Sequence, residues 1–279
     1  MEYKKFLVVA SKKDPAGVNI TTRLSQFRGN PLLSGMKQEA NFDFYLVEDE
    51  IIQTENLDME KINKYDFIIF ASRHSSSSSE AQKTLSVHAP GNWRSAEHGG
   101  ESGKVCPVSA MFNKQIFEKL TKIAKEHEMD KDYSVTMEVT HHGPLITKPC
   151  LFIEIGPTME EWNDRRAAFV IAKTIDEAIK EYKENPYNEV AVAIGGPHYC
   201  PSFNKIQANS NVAISHVISK NVFPLTREMV EKAIQKTEEE VDFVLLDWEG
   251  LGNTDIKNQV LGVLKDFYLQ TRKTGEISK

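Results

Sequence analysis

Residues 150–161 read CLFIEIGPTMEE. The first seven are almost wholly apolar and rich in isoleucine, the composition of a short buried strand. Pro157 interrupts the run, and Thr158 with Glu161 three positions on forms a capping box that opens a helix. Beyond it Ala168, Ile171, Ala172, Ile175, Ala178, Ile179 and Tyr182 recur at helical spacing until Asn-Pro at 185–186 stops them. Strand, tight turn and helix in this order make the repeating unit of an α/β protein.

The flanking sequence repeats the alternation. KKFLVVA (4–10), FDFYLV (42–47), DFIIFAS (66–72), SVTMEVT (134–140), EVAVAIGG (189–196), NVAISHVI (211–218) and VDFVLLDWEG (241–250) read as strands. Residues 113–129 place Ile116, Phe117, Leu120, Ile123 and Ala124 on one helical face, Thr226 caps a helix to about Lys236, and 254–270 reads as a closing helix. This predicts an α/β fold, a parallel or mixed sheet between helical layers, in one domain over 1–279. Residues 73–104, rich in Ser, Gly and His, are too long for an idle connection and predict a functional loop.

Composition is that of an ordinary globular protein, 40% hydrophobic and 27% charged. The apolar run at 6–10 is too short for a secretion signal, and no run approaches the roughly 20 apolar residues of a membrane span. Cys106, Cys150 and Cys200 are odd in number and widely spaced, against a disulfide framework and in keeping with a reducing cytoplasm. A net charge of −6 confines any nucleic-acid contact to a local basic patch.

The chemistry-bearing residues gather at predicted strand ends and loops, where α/β sheets form their sites. His74, His88, His98, His141, His142 and His198 all lie there, mostly beside Gly or Pro. In SVTMEVTHHGP (134–144), strand parity sets Glu138, Thr140 and His142 on one face and His141 on the other, unless Gly143-Pro144 bends the chain. Glu154 sits among isoleucines, where an unpaired carboxylate would be costly. GGPHYCP around His198 spends two glycines and two prolines on a fixed backbone. No G-x-S-x-G elbow supports a serine hydrolase. Cys200 reads as plainly buried, the Ser run at 75–79 as a mobile loop, and Lys119, Lys122 and Lys125 as a solvated helical stripe. Several imidazoles with two carboxylates and no cysteine pair form the ligand set of a catalytic zinc site. Such an ion polarises a carbonyl and lowers the pKa of its water to about 7, with a glutamate as general base.

SRH before a Ser-rich loop, LSVHAPGN, EVTHHGP, FIEIGPT with a Trp soon after, and IGGPHYCP, in this order, resemble the archaeal- and plant-type D-aminoacyl-tRNA deacylases. The resemblance implies a three-layer α/β/α fold with a central mixed sheet, of the phosphorylase/hydrolase and peptidyl-tRNA hydrolase kind. It implies hydrolysis of the ester between a D-amino acid and the tRNA 3′ end, zinc as cofactor, and His74, His88, Glu138, His141, His142, Glu154 and His198 as motif residues. Within that set the expected roles are catalytic for His142, Glu154 and Glu138, and metal-binding for His88, His141 and His198. Arg73, His74, Thr140, Trp93 and Tyr199 are expected to bind substrate, with Lys12, Lys13 and Lys148 near its phosphates. The expected protein is a cytoplasmic monomer acting on the tRNA acceptor end, without DNA or membrane. His98 and His216 depart from the family pattern and are set aside. Two other readings stand beside this one: a zinc-dependent amidohydrolase or carboxypeptidase-like enzyme on a small substrate, and a non-catalytic tRNA- or nucleotide-binding module.

Overall fold

A computed structural model describes residues 2–27, 42–54, 59–76 and 82–277. In chain order the elements are β1 (Phe6–Ser11), α1 (Pro15–Leu24), β2 (Phe42–Val47), α2 (Met59–Ile62), β3 (Phe67–Arg73), β4 (Thr84–His88), α3 (Ala110–Glu126), β5 (Ser134–Met137), β6 (Cys150–Gly156), α4 (Met159–Trp162), α5 (Arg165–Lys180), β7 (Glu189–Ile194), α6 (Pro201–Asn209), β8 (Val212–Ile218), α7 (Arg227–Gln235), β9 (Phe243–Leu246), α8 (Thr254–Leu264) and β10 (Gln270–Lys273). The class is the expected one, a mixed central sheet flanked by helices.

That sheet has the order β2-β1-β3-β6-β4-β5. Every pairing in it is parallel except β4 with β6. A second, parallel sheet runs β10-β9-β7-β8. The apolar runs explain the buried centre: β1 is buried at every position and β3 at all but its last, as strands covered on both faces must be. Helix α3 joins the two sheets, packing on β4 and β5 of one and on β7 and β8 of the other. Its N-cap Ser109 accepts from the Phe112 amide at 3.0 Å, and Asn113 Nδ2 donates to the Ile214 carbonyl at 3.2 Å.

Three sequence expectations change. The stretch 73–104, expected as loop, contains β4; TLSVH is too short to show a period, and its place is fixed only by pairing with β6 and β5. The helix after Thr158 breaks in two, because Asp164 turns its carboxylate back onto the amides of Arg166 (2.8 Å) and Ala167 (3.3 Å) and caps a new helix, α5. The last helix stops at Leu264, and residues 270–273 add an edge strand beside β9. Among the described residues no helix is long and apolar enough to cross a membrane.

Candidate active site

Five histidines and two glutamates converge where a face of the six-stranded sheet meets the loop after β7. Glu154 lies inside β6, between Ser72 of β3 and Ser86 of β4 in the sheet register. Because β4 runs antiparallel to β6, its last residue, His88, comes to rest beside Phe152, the two rings stacked at 5.2 Å and 9°. His88 thus shares a face with Glu154 two rungs away. His74 leaves the end of β3 with its amide on the Ile155 carbonyl at 2.9 Å. Glu138 leaves β5 with its amide on the Val87 carbonyl at 3.1 Å. His198 arrives from the second sheet, its carbonyl accepting from the Val139 amide at 3.0 Å.

The His141-His142 doublet resolves its parity conflict through the backbone. His142 has φ +45°, the left-handed region that L side chains rarely occupy outside constrained sites. Both rings therefore reach the cluster, with centroids 4.4 Å (His141) and 4.8 Å (His142) from His88. Gly143 makes the turn possible: a Cβ there would stand 2.4 Å from the Gly100 amide nitrogen and 2.5 Å from the Ile52 carbonyl oxygen.

Around this frame the polar atoms are ordered. His74 Nδ1 is 3.2 Å from Glu138 Oε1 and 3.7 Å from Glu154 Oε2, and its Nε2 shares a hydrogen bond with the Tyr199 hydroxyl at 3.0 Å. His198 Nε2 lies 3.0 Å from Glu138 Oε2. Three other imidazoles have their Nδ1–H committed to carbonyls: His88 to Ala89 (3.2 Å), His141 to Val139 (2.8 Å) and His142 to Gly143 (2.6 Å). Each presents Nε2 inward, at 3.6 Å from Glu154, 3.5 Å from Glu138 and 3.9 Å from Glu154 respectively.

Burial opposes charge on all of these groups, yet the pairs override it. Burial raises Glu154, but His74 and His88 outweigh it and hold the carboxyl at about 2; His198 and His74 hold Glu138 well below its ordinary value in the same way. Burial lowers His74, but Glu138 and Glu154 push it up to about 11, and Glu154 raises His88 likewise. His141 and His142 go the other way. Burial, then the neighbouring histidines, holds His142 at about 4 and His141 well below its usual range. Two carboxylates are thus balanced by His74 and His88, and two neutral imidazoles keep free lone pairs.

The same atoms test the site for a cation. His88 Nε2, Glu138 Oε1 and both oxygens of Glu154 are buried without a hydrogen bond. Ion pairing with the neighbouring imidazoles offsets part of the cost of that burial, and a ligand would satisfy the rest. Three groupings bring ligand atoms within 4.8 Å of one another: His88 with His141 and His142, His74 with Glu138 and His198, and His88 with Glu138 and Glu154. Nitrogen and carboxylate donors without thiolate suit zinc, and the residues fit such an ion.

Comparison with known proteins identifies the family. A family model described as D-aminoacyl-tRNA deacylase matches residues 61–271. The chain belongs to the D-aminoacyl-tRNA deacylase family. The D-aminoacyl-tRNA deacylase of Thermococcus onnurineus is 35% identical over 261 residues, 88% of this chain and 91% of that one. Its counterpart in Archaeoglobus fulgidus is 34% identical over 284 residues and 98% of each chain. A crystal structure of a conserved protein of unknown function, AF0625, superposes with TM-score 0.83 at 31% identity, over 98% of this chain and 96% of that one.

Within this deacylase-family fold, the seven motif residues named from the sequence come together, and Tyr199 joins them through His74. Arg73 stands at the rim, its guanidinium 2.9 Å from Glu50 and over the Trp162 ring at 5.3 Å. Thr140 and Trp93 do not line the cluster. The Thr140 hydroxyl accepts from the Val217 amide at 3.0 Å and meets His216 Nδ1 at 3.1 Å, because the chain has already begun to turn there. Trp93 is buried against His216 and donates to the Val217 carbonyl at 3.3 Å, so it offers no surface to a base. His216 is structural, its Nε2 on the Cys106 carbonyl at 3.1 Å, and the His98 ring is exposed while its carbonyl anchors Gly143 at 2.9 Å.

Lys12 and Lys13 are paired with Glu48 (2.5 Å) and Asp49 (3.0 Å) beside the rim, and Lys148 is half-buried. Lys119 and Lys122 are taken by Glu181, Glu177 and Glu126, a salt-bridged helical face. Cys200 is buried, and Ser77–79 of the serine run lie outside the described residues.

Two supporting residues carry no role in the sequence reading, although one of them is the Trp quoted after FIEIGPT. Asp14 accepts from the Arg73 amide at 2.8 Å and from the Gly17 amide at 3.0 Å, fixing the rim to α1; an Asp-Pro step after a strand is the signal that could have shown it. Trp162 donates its indole N–H to the His74 carbonyl at 2.9 Å, and is the Trp of the FIEIGPT motif.

Proposed function

We propose that this chain hydrolyses the ester of D-aminoacyl-tRNA at the 3′ acceptor end, releasing the free D-amino acid and tRNA, with zinc as cofactor. It acts as a cytoplasmic monomer. The observation that carries the metal dependence is the set of four orphaned, buried ligand atoms on His88, Glu138 and Glu154. The tRNA substrate rests on the family and on the names its archaeal relatives bear.

His141 and His142 would hold the ion through their neutral Nε2 atoms, and His88 would join them once the cation displaces its Nε2 proton, each ring fixed by an Nδ1–H on a carbonyl, with Glu154 beside them. His142, expected among the catalytic residues, thereby becomes a ligand in this reading. When bound, the cation supplies Lewis-acid polarisation of the ester carbonyl and acidifies a water. Glu138 and His198, 3.0 Å apart, form the proton-handling pair. His198 is the most exposed of the five histidines and stands at the mouth. Its Nε2 donates to the ionised Glu138, which leaves Nδ1 to take a proton from the attacking water and return one to the departing 3′ oxygen of the ribose. His74 holds both carboxylates and the Tyr199 hydroxyl in place. The close-packed backbone at Gly143 and the constrained His142 give the rigid wall that chiral discrimination needs.

The test is deacylation of D-tyrosyl-tRNA and L-tyrosyl-tRNA by the zinc-loaded and chelator-treated protein. The reading expects release from the D substrate alone, abolished by chelation and restored by zinc. Equal rates on both enantiomers, or none from a metal-replete sample, would overturn it.

A further inference from the structure

Most cations described on this acidic protein are spent on carboxylates or carbonyls. Arg73, Arg227 and Arg272 pair with Glu50, Glu231 and Glu189, and Arg94 binds the carbonyls of Val222 and Pro224. Arg23, Arg165 and Arg166 differ. With His127, Phe169 and Val170 they line one cleft of about 390 Å³ between α1, α5 and the end of α3. Among the described residues none of the three has a carboxylate partner, and Arg23 Nε is buried without any acceptor. Arg166 donates to the His127 carbonyl at 3.1 Å. The closest acid in sequence, Asp164, is already used: Oδ1 caps α5 and Oδ2 accepts from Tyr133 at 3.0 Å. Lys173 borders the cleft, 3.2 Å from His127 Nε2, and is itself shared with Glu126 and Glu177.

Arg165 and Arg166 are also badly placed for the helix they begin. They are the first two residues of α5, where the macrodipole disfavours cations. Three guanidinium groups without a carboxylate partner among the described residues crowd one depression and repel one another, in a chain of net charge −6. Neither helix stability nor packing requires this arrangement; a bound polyanion relieves it. Planar guanidinium forks match phosphate oxygens in particular.

The cleft adjoins the site. Trp162, which touches the His74 carbonyl and carries Arg73 on its face, precedes Arg165 by three residues, at most about 11 Å of chain. Asn19 of α1 donates to the carbonyls of Trp162 and Asp164, both at 3.2 Å, and so ties the helix bearing Arg23 to the same rim.

We propose that this arginine cleft binds the sugar–phosphate backbone of the tRNA acceptor arm beside the 3′ end whose ester enters the site. The proposal rests on the deacylase reading, and its test separates the two. The variant is Arg23→Ala with Arg165→Ala and Arg166→Ala, measured against the wild type and the matching triple Arg→Lys variant. Affinity for uncharged tRNA is titrated from low to high salt, and turnover is measured on D-tyrosyl-tRNA and on D-tyrosyl-adenosine, which carries no phosphate. The alanine variant is expected to bind tRNA at least about tenfold more weakly near 0.1 M salt, with a salt slope reduced by about 2 to 3. Its KM for D-tyrosyl-tRNA should rise while turnover of D-tyrosyl-adenosine stays at the wild-type value, and the lysine variant should recover most of the binding. An unchanged affinity and slope would overturn the cleft assignment, as would an equal loss on both substrates. If the wild type cleaves neither substrate, the deacylase reading fails, while the binding titration still decides the cleft.

Discussion

Gly156 is the position where one methyl group tests the site most economically. It ends β6 beside His74, and a Cβ built there would lie 2.8 Å from His74 Cβ and Cδ2 and 3.1 Å from Cγ. Restoring an ordinary contact of 3.4 Å requires the imidazole to withdraw by about 0.6 Å. His74 cannot move freely, since Nδ1 faces Glu138 and Glu154 and Nε2 meets Tyr199. Gly156→Ala should therefore cost about 1–3 kcal/mol in stability, the usual range for overpacking. A misplacement of 1 Å costs on the order of 100-fold in rate, so turnover should fall roughly 10- to 50-fold. The assay is single-turnover deacylation of D-tyrosyl-tRNA, with thermal denaturation and zinc content measured on the same samples. The cycle closes with His74→Gly, which removes all three clashing atoms; on that background Gly156→Ala should change nothing further. A Gly156→Ala enzyme with wild-type turnover, or one equally impaired on the His74→Gly background, would refute the claim that His74 positions the two carboxylates.

The remaining expectations concern individual groups. Replacing His142 or Glu154 with Ala should lower turnover by roughly two orders of magnitude or more and deplete bound zinc while leaving circular dichroism unchanged. Thr140→Val should act differently, lowering stability by about 1–3 kcal/mol through the stranded His216 ring and Val217 amide, with zinc content intact by metal analysis. The metal-free chain should show a pH signature of its own. His74 is raised to about 11, so its clamp stabilises fully below the unfolded value near 6.5 and is lost as pH rises through about 11. Denaturant melts should show wild type converging on His74→Asn toward alkaline pH; parallel curves would count against the clamp. Trp93→Ala should cost about 3–5 kcal/mol of stability as a buried aromatic, and no base-stacking contribution to tRNA binding should disappear with it.

The sequence carried much of this because its signals were local. Runs such as FLVVAS and FIIFAS are apolar throughout, and only buried parallel strands read that way. Glu154 announced itself as the one carboxylate inside such a run, and Gly-Pro punctuation marked His142 and His198 as held rather than merely present. What stayed hidden was set by tertiary pairing. TLSVH gives no hint that it lies between β6 and β5 and runs antiparallel to β6, yet that direction alone delivers His88 to Glu154. Strand parity placed Thr140 in the site and excluded His141; the left-handed His142 and the turn before it reversed both. Trp93 and Trp162 look equally available in sequence, and only packing decides that the first is sealed inside and the second supports His74. The arginine cleft joins residues about 140 positions apart, beyond the reach of any periodicity.

The interior position of β4 also has a kinetic meaning. His88 is fastened by a strand with a hydrogen-bonded neighbour on each side, and both neighbours, residues 134–137 and 150–156, are synthesised after it. The cluster around His88 is therefore completed late in folding, by contacts distant in sequence. Afterwards His88 cannot fray away as a loop residue would, because withdrawing it means pulling a strand with neighbours on both sides out of the sheet. Its exchange with solvent belongs with the slowest openings of the molecule, and a chelator acting on the folded protein would work at the pace of the sheet rather than of a side chain.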